Sequence, residues 1–157
     1  MRAVVQRVSS ASVAWADESG DARKNAIGAG LVVLLGVGPG DTVQTGERLA
    51  RKIANLRIFE DDRGRFDRTL LDLGGEALVV SQFTLFADAR RGRRPSFIGA
   101  APPALAEPLC DAFASSLQAA GLVVRSGRFG AHMEVELVND GPVTVVLSTE
   151  AWESRID

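Results

Sequence analysis

The run Leu31-Val32-Val33-Leu34-Leu35 limits what this chain can fold into more than any other feature. Five apolar residues in succession, closed off by Gly36-Val37-Gly38-Pro39-Gly40-Asp41, predict a strand buried in a core with a sharp break after it. Thr42 then stands where a helix N-cap belongs. Leu49, Ile53 and Leu56 follow at spacings of four and three, which predicts one amphipathic helix.

The remaining periodicities extend this β-then-α start. Val4, Val5 and Val8, then Ala11, Val13 and Trp15, alternate on either side of Ser9-Ser10 and predict the two strands of an opening hairpin. Residues 17–25 are polar and predict a solvated loop, somewhat long for a hairpin. Arg57-Ile58-Phe59 and residues 77–85 predict further strands, parted by a turn at residues 60–64 and by Gly74-Gly75, with the second strand central. Pro102-Pro103 opens a second helix in which Leu105, Leu109, Phe113 and Leu117 share a face, and Gly121 stops it. Met133, Val135 and Leu137 alternate with Glu134 and Glu136 as in a half-buried strand, and residues 143–147 predict another after a Gly-Pro turn. This order, with no internal repeat, predicts an α+β domain with two main helices on a mostly antiparallel sheet.

A chain of 157 residues fits one domain, expected over residues 1–148, with 149–157 as a polar tail that contains Trp152. No stretch is apolar enough to cross a bilayer, and Gln6 and Arg7 interrupt the start too early for a signal peptide, so a cytoplasmic protein is expected. Cys110 has no second cysteine to pair with, which agrees with a reducing compartment. His132 is the only histidine, so no zinc cluster is expected, nor any cofactor. The net charge of -2 confines any RNA contact to a local patch. Arg90-Arg91-Gly92-Arg93-Arg94 offers one, as phosphate ligands or as a plain solvated loop.

Two other segments carry polar groups where chemistry could sit. Ser81-Gln82-Phe83-Thr84-Leu85 follows an apolar strand, but alone it reads as an amphipathic strand whose hydroxyls satisfy nearby main-chain groups. Asn139-Asp140-Gly141-Pro142-Val143-Thr144 alone reads as a turn. A serine triad would need His132 as base, and no local signature supports that.

Taken together, these segments resemble the D-aminoacyl-tRNA deacylase family. Ser81-Gln82-Phe83-Thr84-Leu85 is similar to its first signature and Asn139 to Thr144 to its second, with Arg94-Pro95-Ser96-Phe97 in the expected place between them. Residues 1–8, Gly28-Ala29-Gly30-Leu31 and Gly127-Arg128-Phe129 extend the likeness over nearly the whole chain.

The resemblance implies a barrel-like sheet that forms a homodimer interface, with tRNA as partner. It also implies hydrolysis of the ester between a D-amino acid and tRNA, a chiral proofreading step of translation. Ser81, Gln82, Phe83 and Thr84 of one chain would face Gly141 and Pro142 of the other, with Thr144 beside them. The family's Gly-Pro bond is cis, which turns two carbonyls to one side, where both can accept from an α-ammonium. Arg7 matches the arginine that holds this loop. An L-residue's side chain would strike the Gly-Pro carbonyls, whereas glycine would pass, so glycyl-tRNA, including glycine mischarged on tRNA(Ala), is an expected second substrate. Main-chain amides of Phe83 and Thr84 are the candidate oxyanion donors, and Gln82 orients the ribose or adds a donor. Attack by water assisted by the terminal 2′-hydroxyl, or by Thr84 or Thr144 as a nucleophile, both stay open. So do a non-catalytic tRNA-binding module and a related deacylase with relaxed chirality.

Overall fold

The structure, a computed structural model, describes residues 1–90 and 92–151. The expectations placed on Arg91, on Trp152 and on most of the 149–157 tail lie outside the described residues. Strand β1 (Arg2–Ala16) is the spine of a six-stranded sheet. One edge of β1 pairs with β3 (Gly30–Gly36) along its first half and with β2 (Ala22–Ile27) along its second, while β8 (Met133–Ser148) covers the other edge. All three pairings are antiparallel. Beyond β3 the sheet continues in parallel through β6 (Glu76–Ser81) to β7 (Val123–Ser126).

Helix α1 (Val43–Ala54) and helix α3 (Pro103–Ala119) cover one face of this sheet. Thr42 caps α1 as expected, in a reciprocal box with Thr45, and its loss would cost about 1 kcal/mol. Leu49 and Ile53 of α1 and Phe113 and Leu117 of α3 meet Ala3, Val5, Leu31, Val33 and Leu35 in the main core. The opposite face curls inward around a second cluster, with Val8, Val13, Val32, Leu78 and Val80 at its centre. The curl brings β2 to β7, where the Asn25 side chain donates to the Ser126 carbonyl at 2.6 Å. The result is the barrel-like α+β architecture.

Several local expectations are corrected. There is no opening hairpin at Ser9-Ser10: β1 is one strand, and the break in its alternation is a bulge, with register shifts between Gln6 and Val8 and between Val8 and Ser10. The solvated loop ends at Asp21, because residues 22–25 pair through their main chain with Val13 to Ala16, with residues 22–24 exposed and Asn25 half-buried. The strand expected at Arg57-Ile58-Phe59 shrinks to β4 (Phe59–Glu60), which joins β5 (Phe66–Arg68) in a separate two-stranded sheet. A short helix α2 (Leu70–Leu73), capped by Thr69, precedes β6. The strand over 77–85 stops at Ser81, and residues Phe83–Phe86 form a 3-10 turn.

The Gly-Pro segment is not a turn between two strands. Both halves of β8 run antiparallel to β1, with Thr144 opposite Gln6 and Asn139 opposite Val8, so residues 140–143 bulge out opposite Arg7 alone. No helix among the described residues is long and apolar enough to cross a membrane.

Candidate active site

Ser81 ends β6 beside Leu35 of β3, and the Gln82 amide extends that ladder by donating to the Leu35 carbonyl at 2.7 Å. The chain then turns. The first bond of the 3-10 turn runs from the Leu85 amide to the Gln82 carbonyl at 3.2 Å, so the amides of Phe83 and Thr84 come before it and the turn does not use them. The Gln82 side-chain amide donates to the Thr84 hydroxyl. Gly36 lets the turn lie flat on the end of β3: a Cβ there would stand 3.0 Å from the Gln82 carbonyl oxygen and 3.1 Å from the Phe86 ring.

Beside this turn opens a largely apolar cavity of ≈ 410 Å³. Phe83, Phe97 and Phe129 supply aromatic walls, and Ala106 and Cys110 of α3 close the back. Phe83 is 59% exposed and meets Phe97 edge to face, with ring centres 5.2 Å apart. Burial pushes the Cys110 thiol up to about 12, helped by the carboxylates of Asp111 and Glu107, so it is a neutral wall rather than a nucleophile. His132 is exposed just before β8. The arginine loop leaves this region through paired main-chain bonds between Asp88 and Ser96 (2.7 and 2.9 Å). Arg90 folds back on Asp88, while Arg93 and Arg94 are exposed.

The second group of residues is built around a buried arginine. Arg7, 6% exposed, donates from Nε to the Asp140 carbonyl at 3.0 Å and from Nη1 to the Ile58 carbonyl at 2.7 Å. Asp140 and Glu60 carboxylates lie 3.3 and 4.0 Å from the guanidinium, and the Phe66 ring lies under it. Asn139 brackets the bulge from inside, accepting from the Val143 amide at 2.9 Å and donating to the Val143 carbonyl at 3.1 Å. The Thr144 hydroxyl accepts from Gln6 at 3.1 Å. The Gly141-Pro142 bond is cis, and Gly141 has φ +142°, where a Cβ would stand 2.6 Å from the Val143 nitrogen. Gly141 and Pro142 are both exposed.

Ser81 to Thr84 are thus brought together, as are Arg7, Gly141, Pro142 and Thr144, but the two groups are not joined within one chain. Ser81 pairs with Leu35, Leu35 with Ala3 and Ala3 with Leu147. Three strand spacings plus the run along β8 to Pro142 separate the two groups by roughly 20 Å. Sequence reasoning missed Arg2, which reaches the turn at Leu85, because a charged residue before an apolar strand carries no signal of its own.

A turn whose first two main-chain amides lie outside its own hydrogen bonds, at the rim of an apolar cavity, is suited to polarising a carbonyl, as hydrolysis of an acyl ester requires. The model of the family described as D-Tyr-tRNA(Tyr) deacylase matches residues 4–148. D-aminoacyl-tRNA deacylases of Roseiflexus sp. (strain RS-1) and Roseiflexus castenholzii are 62% and 63% identical, over 95% of this chain and 94% and 92% of theirs. A solved structure described as c-Myc DNA Unwinding Element Binding Protein superposes with TM-score 0.86 at 42% identity, covering 96% of this chain and 100% of that one. Another, of a probable eukaryotic D-amino acid tRNA deacylase, shares the fold, with TM-score 0.80 at 17% identity over 93% of this chain and 97% of its own. The chain belongs to the D-Tyr-tRNA(Tyr) deacylase family. It is a hydrolase acting on D-aminoacyl-tRNA.

Proposed function

We propose that two copies of the chain build each active site, Ser81 to Thr84 from one and Gly141-Pro142 from the other. The observation that carries this reading is the pair of amides at Phe83 and Thr84 that the turn's own bonds leave unused, in a chain whose other conspicuous motif lies roughly 20 Å away. Val135, Val138 and Val146 leave apolar side chains exposed along β8, which supports a dimer formed through the sheet. Residues 1–148 then act as a single deacylase domain.

In this site the terminal adenosine of tRNA enters the cavity and stacks among Phe83, Phe97 and Phe129. Arg93 and Arg94, exposed on the nearby loop, meet phosphates of the acceptor strand. The Phe83 and Thr84 amides receive the carbonyl oxygen as it gains negative charge. Water, assisted by the ribose 2′-hydroxyl, adds its oxygen to the carbonyl carbon. The bond to the ribose 3′-oxygen breaks, and that oxygen takes one proton of the water. Free amino acid and tRNA result. Thr84 is less suited to be a nucleophile, since its hydroxyl is held by Gln82, whose amide is not a base.

The partner's Gly141-Pro142 carbonyls hold the α-ammonium, with Thr144 alongside, and Arg7 keeps their loop in place. Once the ammonium and ester are fixed, an L-side chain collides with that loop and a D-side chain points away, while glycine passes. The reaction is chiral proofreading in the cytoplasm, where charged tRNA is used, with glycyl-tRNA as a second substrate. The test compares release of amino acid from D-tyrosyl-, L-tyrosyl- and glycyl-tRNA at equal enzyme. Cleavage of the D- and glycyl-esters alone supports the reading. Equal cleavage of both tyrosyl enantiomers would point to relaxed chirality, and tRNA binding without turnover to a binding module.

A further inference from the structure

We infer that Arg2 is a positioning residue for the reaction, acting through the Gln82 to Phe86 turn. The inference rests on the reading that the Phe83 and Thr84 amides face the reacting carbonyl. Arg2 pairs with Gly36 in β3 on one side and with Ser148 in β8 on the other, so its main chain is fixed from both edges. Gly36 has no side chain, and the turn lies against it so closely that a Cβ would stand within 3.0–3.2 Å of Gln82, Leu85 and Phe86. The Arg2 side chain reaches over this gap. Its guanidinium lies 4.3 Å from the centre of the Phe86 ring, and Nη1 donates to the Leu85 carbonyl at 3.0 Å. Nη2 stands 3.6 Å from a Glu150 carboxylate oxygen.

The internal bonds of the turn occupy the Gln82 and Thr84 carbonyls, which accept from Leu85 and Ala87. Leu85 is held from outside, by Arg2. A 3-10 turn of four residues has poor hydrogen-bond geometry and little rigidity of its own. Oxyanion donors work only when aimed in advance, to within about 0.5 Å. A cation that lies over one residue of the turn and donates to its neighbour supplies that aim, which a purely apolar side chain could not.

Steady-state and single-turnover kinetics on D-tyrosyl-tRNA test this with two variants and their melting temperatures. Arg2→Met keeps a long chain over Phe86 but cannot donate to Leu85, while Arg2→Lys keeps the charge and a donor. We expect Arg2→Met to lower kcat about tenfold with KM changed less than about twofold, a loss of transition-state stabilisation alone. Arg2→Lys should recover most of it, with both melting temperatures near the wild type's. A wild-type kcat for Arg2→Met would overturn the inference, as would equal losses in both variants that track their melting temperatures. If deleting the Thr84 amide slows the reaction while Arg2→Met does not, the Arg2 inference alone fails. If neither slows it, the reading of the turn fails too.

Discussion

The Nε of Arg7 donates to the carbonyl of Asp140 at 3.0 Å, joining a buried guanidinium in β1 to the residue that precedes Gly141-Pro142. The same guanidinium donates to Ile58 at 2.7 Å, so one side chain fixes the bulge to the body of the protein. A hydrogen bond from a charged donor contributes about 1.5–3 kcal/mol, and Lys cannot reproduce the two-directional fork. Arg7→Lys should therefore leave a folded protein with a looser bulge. The expected outcome is a D-to-L preference on tyrosyl-tRNA reduced about tenfold or more, through faster cleavage of the L-ester. An unchanged ratio would separate Arg7 from chiral selection.

At Thr84 the hydroxyl and the amide can be removed separately. Thr84→Val deletes the hydroxyl that Gln82 contacts but leaves the amide. Thr84→Pro deletes the amide as well and costs no bond within the turn, while its ring also restricts the backbone of Phe83 before it. If the amide polarises the ester, Thr84→Val keeps kcat within about threefold, while Thr84→Pro loses about 10²–10³, the usual effect of one oxyanion donor. An inactive Thr84→Val, with an acyl-enzyme that accumulates in the wild type and in neither variant, would instead make the threonine a nucleophile.

Cys110 gives a prediction about pH. Its folded thiol titrates near 12 against an ordinary value of 9.0, chiefly because it is buried. Between those limits the unfolded thiol loses its proton and the folded one keeps it, so the folded state binds more protons and stability falls as pH rises above about 9. The slope from one such group is at most about 1.4 kcal/mol per pH unit. Denaturant titrations at pH 8 and pH 10 should show a steeper alkaline loss for the wild type than for Cys110→Ala. Parallel losses would mean that the thiol is freer to ionise than its surroundings imply.

How much of this was legible in the sequence depends on the range of the interaction. Leu31 to Leu35 and the stripe Leu109, Phe113, Leu117 announced a buried strand and a helix because each pattern is completed within one element. Ser9-Ser10 and Gly141-Pro142 were misread as chain reversals. Turn residues also suit bulges, and only the pairing of β1 with β8 shows that both segments keep their direction. The same bulge is what leaves Arg7 opposite residues 140–143. The candidate site residues come from resemblance, since Ser81 to Leu85 alone look like any strand end. Arg2 was invisible, because its partners Leu85 and Phe86 lie more than eighty positions along the chain.

The separation of the two motifs makes the shared-site reading open to a mixing experiment. Thr84→Pro damages the turn and leaves the bulge intact, while Gly141→Val damages the bulge, because a side chain there would collide with the Val143 main chain. Each homodimer then has two broken sites. After the two variants are unfolded together and refolded, random pairing makes about half of the dimers mixed, and each mixed dimer holds one site with both halves intact and one with both damaged. Activity on D-tyrosyl-tRNA should return to about one quarter of the wild-type value, though neither variant alone shows it. Size measurements must find dimers throughout. If the mixture stays inactive while mixed dimers are present, both motifs act within one chain, and the roughly 20 Å between them would have to be closed by a movement of β8.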